Sequence, residues 1–446
     1  MTTASGSLSW AQKLASGFSA LRHRNYRLFF FGQLVSLIGT WMQTVAQAWL
    51  VLQLAGKDAD LMLGLVSALQ FAPVLLLAVF GGALADRLPK RKVLVVTQSV
   101  MMVLALTLGL LNLFGVVQIW HVMLLAALLG SANAIDMPTR QAFVVEMVGK
   151  EDLMNSIALN SSVFNAARIV GPAIAGLLIS LLGVTGCFLL NAASFVAVIA
   201  GLLMMRPPFF TNRPANAPEG WGRSGGFLSN LGGGFRYIRD TPSVLRLVVL
   251  VGAVGTFGMN FGVWMPVMAR DVLQVGAGGY GVMMSMMGAG SLVAGLTLAY
   301  SSKQTRRHLV VAAAAAFGLL LLLFAGSQSY PVSLALLALV GVSMVTFSAT
   351  ANTTVQLTVP DELRGRVMAV YMMVFAGTTP LGSLMAGTLA HATSTPVSVA
   401  AGSTISLLAA LAVAWSMRGA TGDREPRPAV GPRAAGDSRT ARELNT

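Results

Sequence analysis

The chain has 446 residues, 55% of them hydrophobic and only 10% charged, with a mean hydropathy of +0.72. So little charge cannot cover a water-soluble surface of this size, which places most of the chain in a lipid bilayer. The net charge of +14 requires no nucleic-acid partner, because basic loops beside anionic lipid headgroups account for it.

Apolar runs long enough to cross about 30 Å of hydrocarbon recur along the sequence. Twelve are predicted, near 28–53, 61–85, 93–115, 119–137, 155–181, 184–205, 245–269, 279–300, 308–326, 331–353, 367–390 and 396–417. Hydropathy alone leaves eleven or thirteen open, since only Gly183 and Gly186 mark a turn within 155–205. Charge decides for twelve. With that number, 27 of the 30 Lys and Arg fall on one side, Lys57 and Arg270 fall opposite, and Arg168 lies within a span. Positive loops mark the cytoplasmic face, so both termini are expected inside the cell membrane. The basic N-terminal residues precede a span too long and too Gln-rich for a cleavable signal core.

This divides the chain into a cytoplasmic N-terminal segment (1–27), a six-helix bundle (28–206), a polar linker (207–243), a second six-helix bundle (244–417) and a basic tail expected to be disordered (418–446). Within the linker, Phe227, Leu231, Phe235 and Ile238 share a helical face beside Arg236 and Arg239, the pattern of a helix lying on a membrane surface. The bundles also repeat one another. A shift of 217 residues places Gly64 on Gly281, and a shift of about 210 places Ala175-Gly176 on Ala386-Gly387. Parallel repeats of this kind put a solute site near mid-membrane, between the halves.

In span one, Ser36, Thr40, Gln43, Thr44 and Gln47 form a polar stripe. It reads as a cavity lining, or as hydrogen bonding between helices. The loop after span two runs Gly82-Ala-Leu-Ala-Asp86-Arg87-Leu-Pro89-Lys90-Arg91-Lys92: a small residue, an acid at a helix end, then a basic cluster. Asp136 in span four is the only acid within a span and could exchange a proton or pair with Arg168. Arg140, four residues on, could instead neutralise it locally.

Span five places Ser161, Asn165 and Arg168 on one face. A charge at that depth costs at least about 2.5 kcal/mol and normally faces a partner or an anionic ligand. Gly171, Pro172 and Gly176 follow, allowing close packing and a bend. In the second half Trp264, Met265, Met283, Met284, Met286 and Met287 could form an adaptable apolar wall or simply core.

Cys187 is the only cysteine and the four His lie apart, so neither a disulfide nor a metal site is expected. With no phosphate-binding Gly-rich loop, no nucleotide or other cofactor is expected either. Nor does any His/Asp/Ser constellation suit an enzyme.

The Gly82–Lys92 loop resembles the signature loop of the major facilitator superfamily, and the resemblance runs from Leu21 to Met417. It implies an all-α membrane fold of twelve transmembrane helices in two pseudo-symmetric six-helix bundles. It also makes Gly82, Asp86, Arg87, Lys90 and Arg91 a cytoplasmic gate motif, with Asp86 facing the start of helix eleven near Leu363–Val367. Pro89 stands where that family commonly has Gly. Gly171, Pro172 and Gly176 resemble the motif of the superfamily's antiporters. The opening Leu21-Arg-His-Arg-Asn25, then Gln33-Leu-Val-Ser36, Asp136-Met-Pro138-Thr-Arg140 and Asn165-Ala-Ala-Arg168 look like the drug and siderophore exporter branch.

The resemblance implies export of a small, partly apolar molecule by proton antiport; alternating access and a monomer are expected. Thr40, Gln43, Gln47, Asn165 and Arg168 would line the cavity and Asp136 would couple the proton. Ala126, where many proton-coupled drug antiporters have Arg, and the lack of an acid in helix one are departures. An importer of an anionic metabolite, held by Arg168, is the alternative.

Overall fold

The computed structural model describes residues 18–149, 151–206, 227–300 and 307–419. They form helices α1 (Arg24–Ala55), α2 (Ala59–Arg87), α3 (Lys90–Leu113) and α4 (Ile119–Val148). A continuous run, Leu153–Leu203, holds α5 and α6 on either side of Gly183. The second half has α7 (Pro242–Gly258, continued by Phe261–Val267 and a π-helical turn, Met268–Val272), α8 (Gly276–Tyr300), α9 (Arg307–Ala325), α10 (Tyr330–Thr358), α11 (Asp361–Ala392) and α12 (Thr395–Gly419). The fold is the expected two-bundle, twelve-helix one.

Length and apolarity mark ten stretches as able to cross a membrane, two of which, Arg24–Leu77 and Leu153–Leu203, each contain a pair of helices. Gly183 separates the second pair: at φ +69° it is the only non-helical position in its run, a conformation open to glycine at little cost. Helices α4, α10 and α11 are longer than their apolar runs, because polar turns continue them beyond the hydrophobic stretch at the end carrying the basic loops. Residues 207–226 of the linker, and the termini at 1–17 and 420–446, lie outside the described residues. The linker helix Phe227–Asp240 packs against α11. Ile238 is buried while Phe235 is exposed, and a Cβ on Gly234 would lie 2.6 Å from the Arg366 carbonyl oxygen.

The halves repeat in packing as well as sequence. In the first, α1 packs on the α5–α6 run, α2 on α4, and α3 on α6; in the second, α7 packs on α11 and α12, α8 on α10, and α9 on α12. One close approach recurs atom for atom. Gly130 of α4 lies against the Gln70 carbonyl of α2, and Gly341 of α10 lies against the Met287 carbonyl of α8. Met287 follows Gln70 by the same 217 residues that relate Gly64 to Gly281. Small residues let helix backbones touch where lipid supplies no hydrophobic drive for association.

Candidate functional site

The halves meet along two seams related by the repeat, α2 with α11 and α5 with α8. In the first, a Cβ on Gly64 would lie 2.6 Å from the Ser383 carbonyl oxygen and 3.2 Å from Gly387 Cα, and the Ser67 and Ser383 hydroxyls are 2.9 Å apart. In the second, a Cβ on Gly176 would lie 3.0 Å from the Gly278 carbonyl oxygen. One on Gly281 would lie 3.0 Å from Gly176 Cα and closer still to the Pro172 carbonyl. The touching pairs, Gly64 with Gly387 and Gly281 with Gly176, exchange under the two repeat shifts. They are two copies of one contact.

Helix α5 stays helical through Pro172. Its glycines serve two neighbours: a Cβ on Gly171 would meet the Ile38 carbonyl of α1 at 2.9 Å, while Gly176 faces α8.

Among the described residues, every cross-half hydrogen bond between helices lies from mid-length toward the end opposite the basic loops. Ser285 donates to the Ile169 carbonyl (2.7 Å). Arg270 donates to the Leu52 carbonyl (3.0 Å) while paired with Asp271 (2.6 Å). Thr395 donates to Asp60 (2.7 Å), and His391 stands 4.0 Å from Asp58. Trp49 stacks on Tyr280 with ring centres 6.3 Å apart. The space between the halves is thus closed at that end.

Arg168 lies at mid-length of α5, at the inner limit of this closure: a Cβ on Gly288 of α8 would lie 3.1 Å from the Arg168 carbonyl oxygen. Its guanidinium carbon is 5.8 Å from the centre of the Trp41 ring, a cation–π contact. Trp41 in turn meets Phe164 edge-on at 5.7 Å. Among the described residues Arg168 has no ion pair or hydrogen bond, and its Nε is buried without a partner. Toward the basic end on the same face, Asn165 is half-buried and Ser161 exposed. On α1, Thr40 and Thr44 are exposed, on the stripe between Gln33 and Gln47.

Gln43 and Gln47, read from the sequence as cavity lining or as hydrogen bonding between helices, make hydrogen bonds between helices here. Both are buried. Asn191 of α6 donates to Gln43 (2.5 Å), and Gln47 donates to Gln70 of α2 (3.1 Å). A buried amide needs partners, and the neighbouring helices supply them. Trp264, Met265, Met283, Met284 and Met287 are likewise core rather than an open wall, with the Trp264 indole donating to Ser398 (3.0 Å).

Asp136 is fully buried within the first bundle and pairs with Arg140, not Arg168. Thr97 (2.7 Å) and Gln98 (2.9 Å) of α3 also donate to it, and Arg140 donates to Gln33 of α1 (2.9 Å). One acid thereby ties α1, α3 and α4 together near the basic end. Thr97 and Gln98 are absent from the sequence reading, and Gln33 enters it only through the exporter-branch resemblance, since only the register between helices brings them to Asp136 and Arg140. A Gln in an apolar stretch four or seven positions from other polar residues was the available signal.

Of the loop motif, Gly82, Asp86 and Arg87 fall in the last turns of α2, but their side chains, and so the expected Asp86 contact with α11, lie outside the described residues. Lys90 pairs with Glu146 of α4 (2.6 Å). Arg91 donates to the Leu202 and Leu203 carbonyls at the end of α6 (both 2.6 Å), where a cation satisfies free carbonyls and the helix dipole.

The family described as transmembrane secretion effector, of the major facilitator superfamily, matches residues 15–430. The chain belongs to this family. It is therefore a multi-pass membrane transporter with a small-molecule substrate, and not an enzyme. It is 28% identical over 378 residues to the multidrug efflux pump Tap of Mycolicibacterium fortuitum, covering 82% of this chain and 89% of that one. Identity to the staphyloferrin A transporter of Staphylococcus aureus is 26%, covering 80% and 88%. Identity to macrolide efflux protein A of Streptococcus pyogenes is 22%, covering 83% and 91%. Among solved structures, a bacterial homolog of the human lysosomal transporter Spinster, inward-facing and unoccupied, superposes with a TM-score of 0.70 at 12% identity, covering 91% and 99%. The nucleoside transporter NupG gives 0.69 at 13%, covering 89% and 99%. These last two share the fold.

Proposed function

We propose that this transporter is a monomeric secondary exporter of a small, partly apolar molecule, drug-like or siderophore-like, in the cell membrane with both termini cytoplasmic. The observation that carries this reading is the paired glycine seam. Two copies of one contact close one end of the space between the halves, and both sit where a rocking of one bundle against the other would part them together. With the basic loops cytoplasmic, the closed end is external and the cavity opens inward, ready to load from the cell. The drug-efflux and siderophore-transport relatives support export.

Proton antiport supplies the drive in this reading, and Asp136 is the coupling acid. A proton on its carboxylate would compete with Arg140, Thr97 and Gln98. Release of Arg140 would loosen its bond to Gln33 and so free α1 from α4. Thr40, Asn165 and Arg168 face the solute, while Gln43 and Gln47 act by holding α1 to α6 and α2. Asp86, Arg87, Lys90 and Arg91, with Gly82, form the gate at the cytoplasmic end. Import of an anionic metabolite is the second reading, and the unpaired Arg168 is the observation that favours it.

The test is expression in an efflux-deficient cell, challenged with drugs, siderophores and metabolites at two external pH values. Export predicts lower intracellular solute in expressing cells, more so at acidic external pH. Raised intracellular solute would reverse the assignment.

A further inference from the structure

The exporter reading leaves open what charge its solute carries. Among the described residues, Arg168 is the only charged side chain at the mid-depth of either bundle, and none of the acids described there neutralises it. Of the chain's 16 Asp and Glu, Asp136 is taken by Arg140, Thr97 and Gln98. Asp58, Asp60 and Asp271 are at the far end, beside His391, Thr395 and Arg270. The remaining acids lie at helix ends, in the linker or in the tail.

A guanidinium in that position still has donors to give. The guanidinium carbon lies over the Trp41 ring, 5.8 Å from the centre, a contact that stabilises the cation without using an N–H in a hydrogen bond. The in-plane N–H groups stay free to bind a planar anion by two parallel charge-assisted bonds. Beside them Trp41 and exposed Phe164 meet edge-on, an aromatic surface adjoining the charge.

From this geometry, and resting on the transporter reading above, we infer that the substrate is an anionic amphiphile. Its carboxylate or comparable planar anion pairs with Arg168, and its aromatic or apolar body lies on Trp41 and Phe164. A lipophilic cation, by contrast, meets a like charge at mid-depth, with no acid among the described residues to offset it.

The test uses purified full-length protein and three probes sharing one ring system: 2-naphthoate, 2-naphthamide and 2-naphthylmethylammonium. Calorimetric titration should show naphthoate binding at least about tenfold tighter than the amide, with the ammonium weakest. Arg168→Gln should bring the three affinities within about threefold of each other, while Arg168→Lys should keep the order at reduced strength. Retention of the order in Arg168→Lys, together with an unchanged elution profile of both variants, separates loss of the site from loss of fold. Equal binding of naphthoate and ammonium to the wild type would overturn the inference. So would a naphthoate preference that survives Arg168→Gln, or no naphthoate binding at millimolar concentration. Equilibrium binding does not depend on transport direction, so failure of the exporter reading in vesicles would leave this result standing, and the converse holds.

Discussion

Replacing Gly281 with Ala puts the seam closure to a quantitative test. The added methyl would lie 3.0 Å from Gly176 Cα and N, and nearer to the Pro172 carbonyl, whereas carbon atoms pack at about 3.5–4.0 Å. All three obstacles are backbone, so no rotamer change relieves them and α5 and α8 must separate by roughly half an ångström or more. Overpacking of this kind costs about 1–3 kcal/mol. The cost applies only while the seam is closed; the gain of Ala over Gly within a helix, about 0.5–1 kcal/mol, is common to both states and cancels from the balance.

A net bias of about 2 kcal/mol moves the balance roughly 30-fold toward the state open at this end. The reporter belongs on the other seam, where the Ser67 and Ser383 hydroxyls are 2.9 Å apart. In a Cys187→Ala background the pair Ser67→Cys and Ser383→Cys should cross-link readily in the parent, and slowly once Gly281→Ala is added. Undiminished cross-linking would refute the claim that the seams open as one.

Asp136→Asn removes the only charge partner of Arg140 among the described residues, and breaking a buried ion pair by removing one partner lowers stability by about 3–5 kcal/mol. Thermal unfolding should show a clear fall in midpoint, with a smaller fall for Thr97→Val, which removes one donor of several. Asn191→Leu leaves the buried Gln43 carbonyl unpaired at a cost of about 1–3 kcal/mol, and the paired change with Gln43→Leu should recover part of the lost midpoint.

Outside the membrane, the Ser19 hydroxyl and then His23 hold the Asp152 carboxyl below its ordinary value, with Arg22 adding to this against the effect of burial. A depressed acid contributes stability above its unfolded value and loses it as pH falls through the folded one. Residues 19–23 should therefore stay protected from proteolysis at neutral pH and become exposed only below the usual carboxylate range, about pH 4. Asp152→Asn should expose them at neutral pH.

Much of the architecture was legible because a bilayer imposes a length and a charge asymmetry on any chain that crosses it. Gly183, one of the two residues marking a turn in 155–205, is the break. The repeat shifts that aligned Gly64 with Gly281 and Gly176 with Gly387 marked residues that touch. Which side of a polar stripe faces a cavity was not legible. Thr40 and Gln43 are three residues apart on α1, yet one is exposed and the other is bonded to Asn191. Periodicity defines a face but not the neighbour that covers it. The same limit hid Thr97 and Gln98 from Asp136, whereas Arg140, one turn away on the same helix, was within reach of spacing alone.

Outward transport driven by protons makes a direct demand on sealed membrane vesicles. Inside-out membrane vesicles carrying the protein, energised to be acidic inside, should accumulate the solute found in the cell screen and lose it when a protonophore is added. Accumulation only in right-side-out vesicles, or accumulation indifferent to the protonophore, would contradict it.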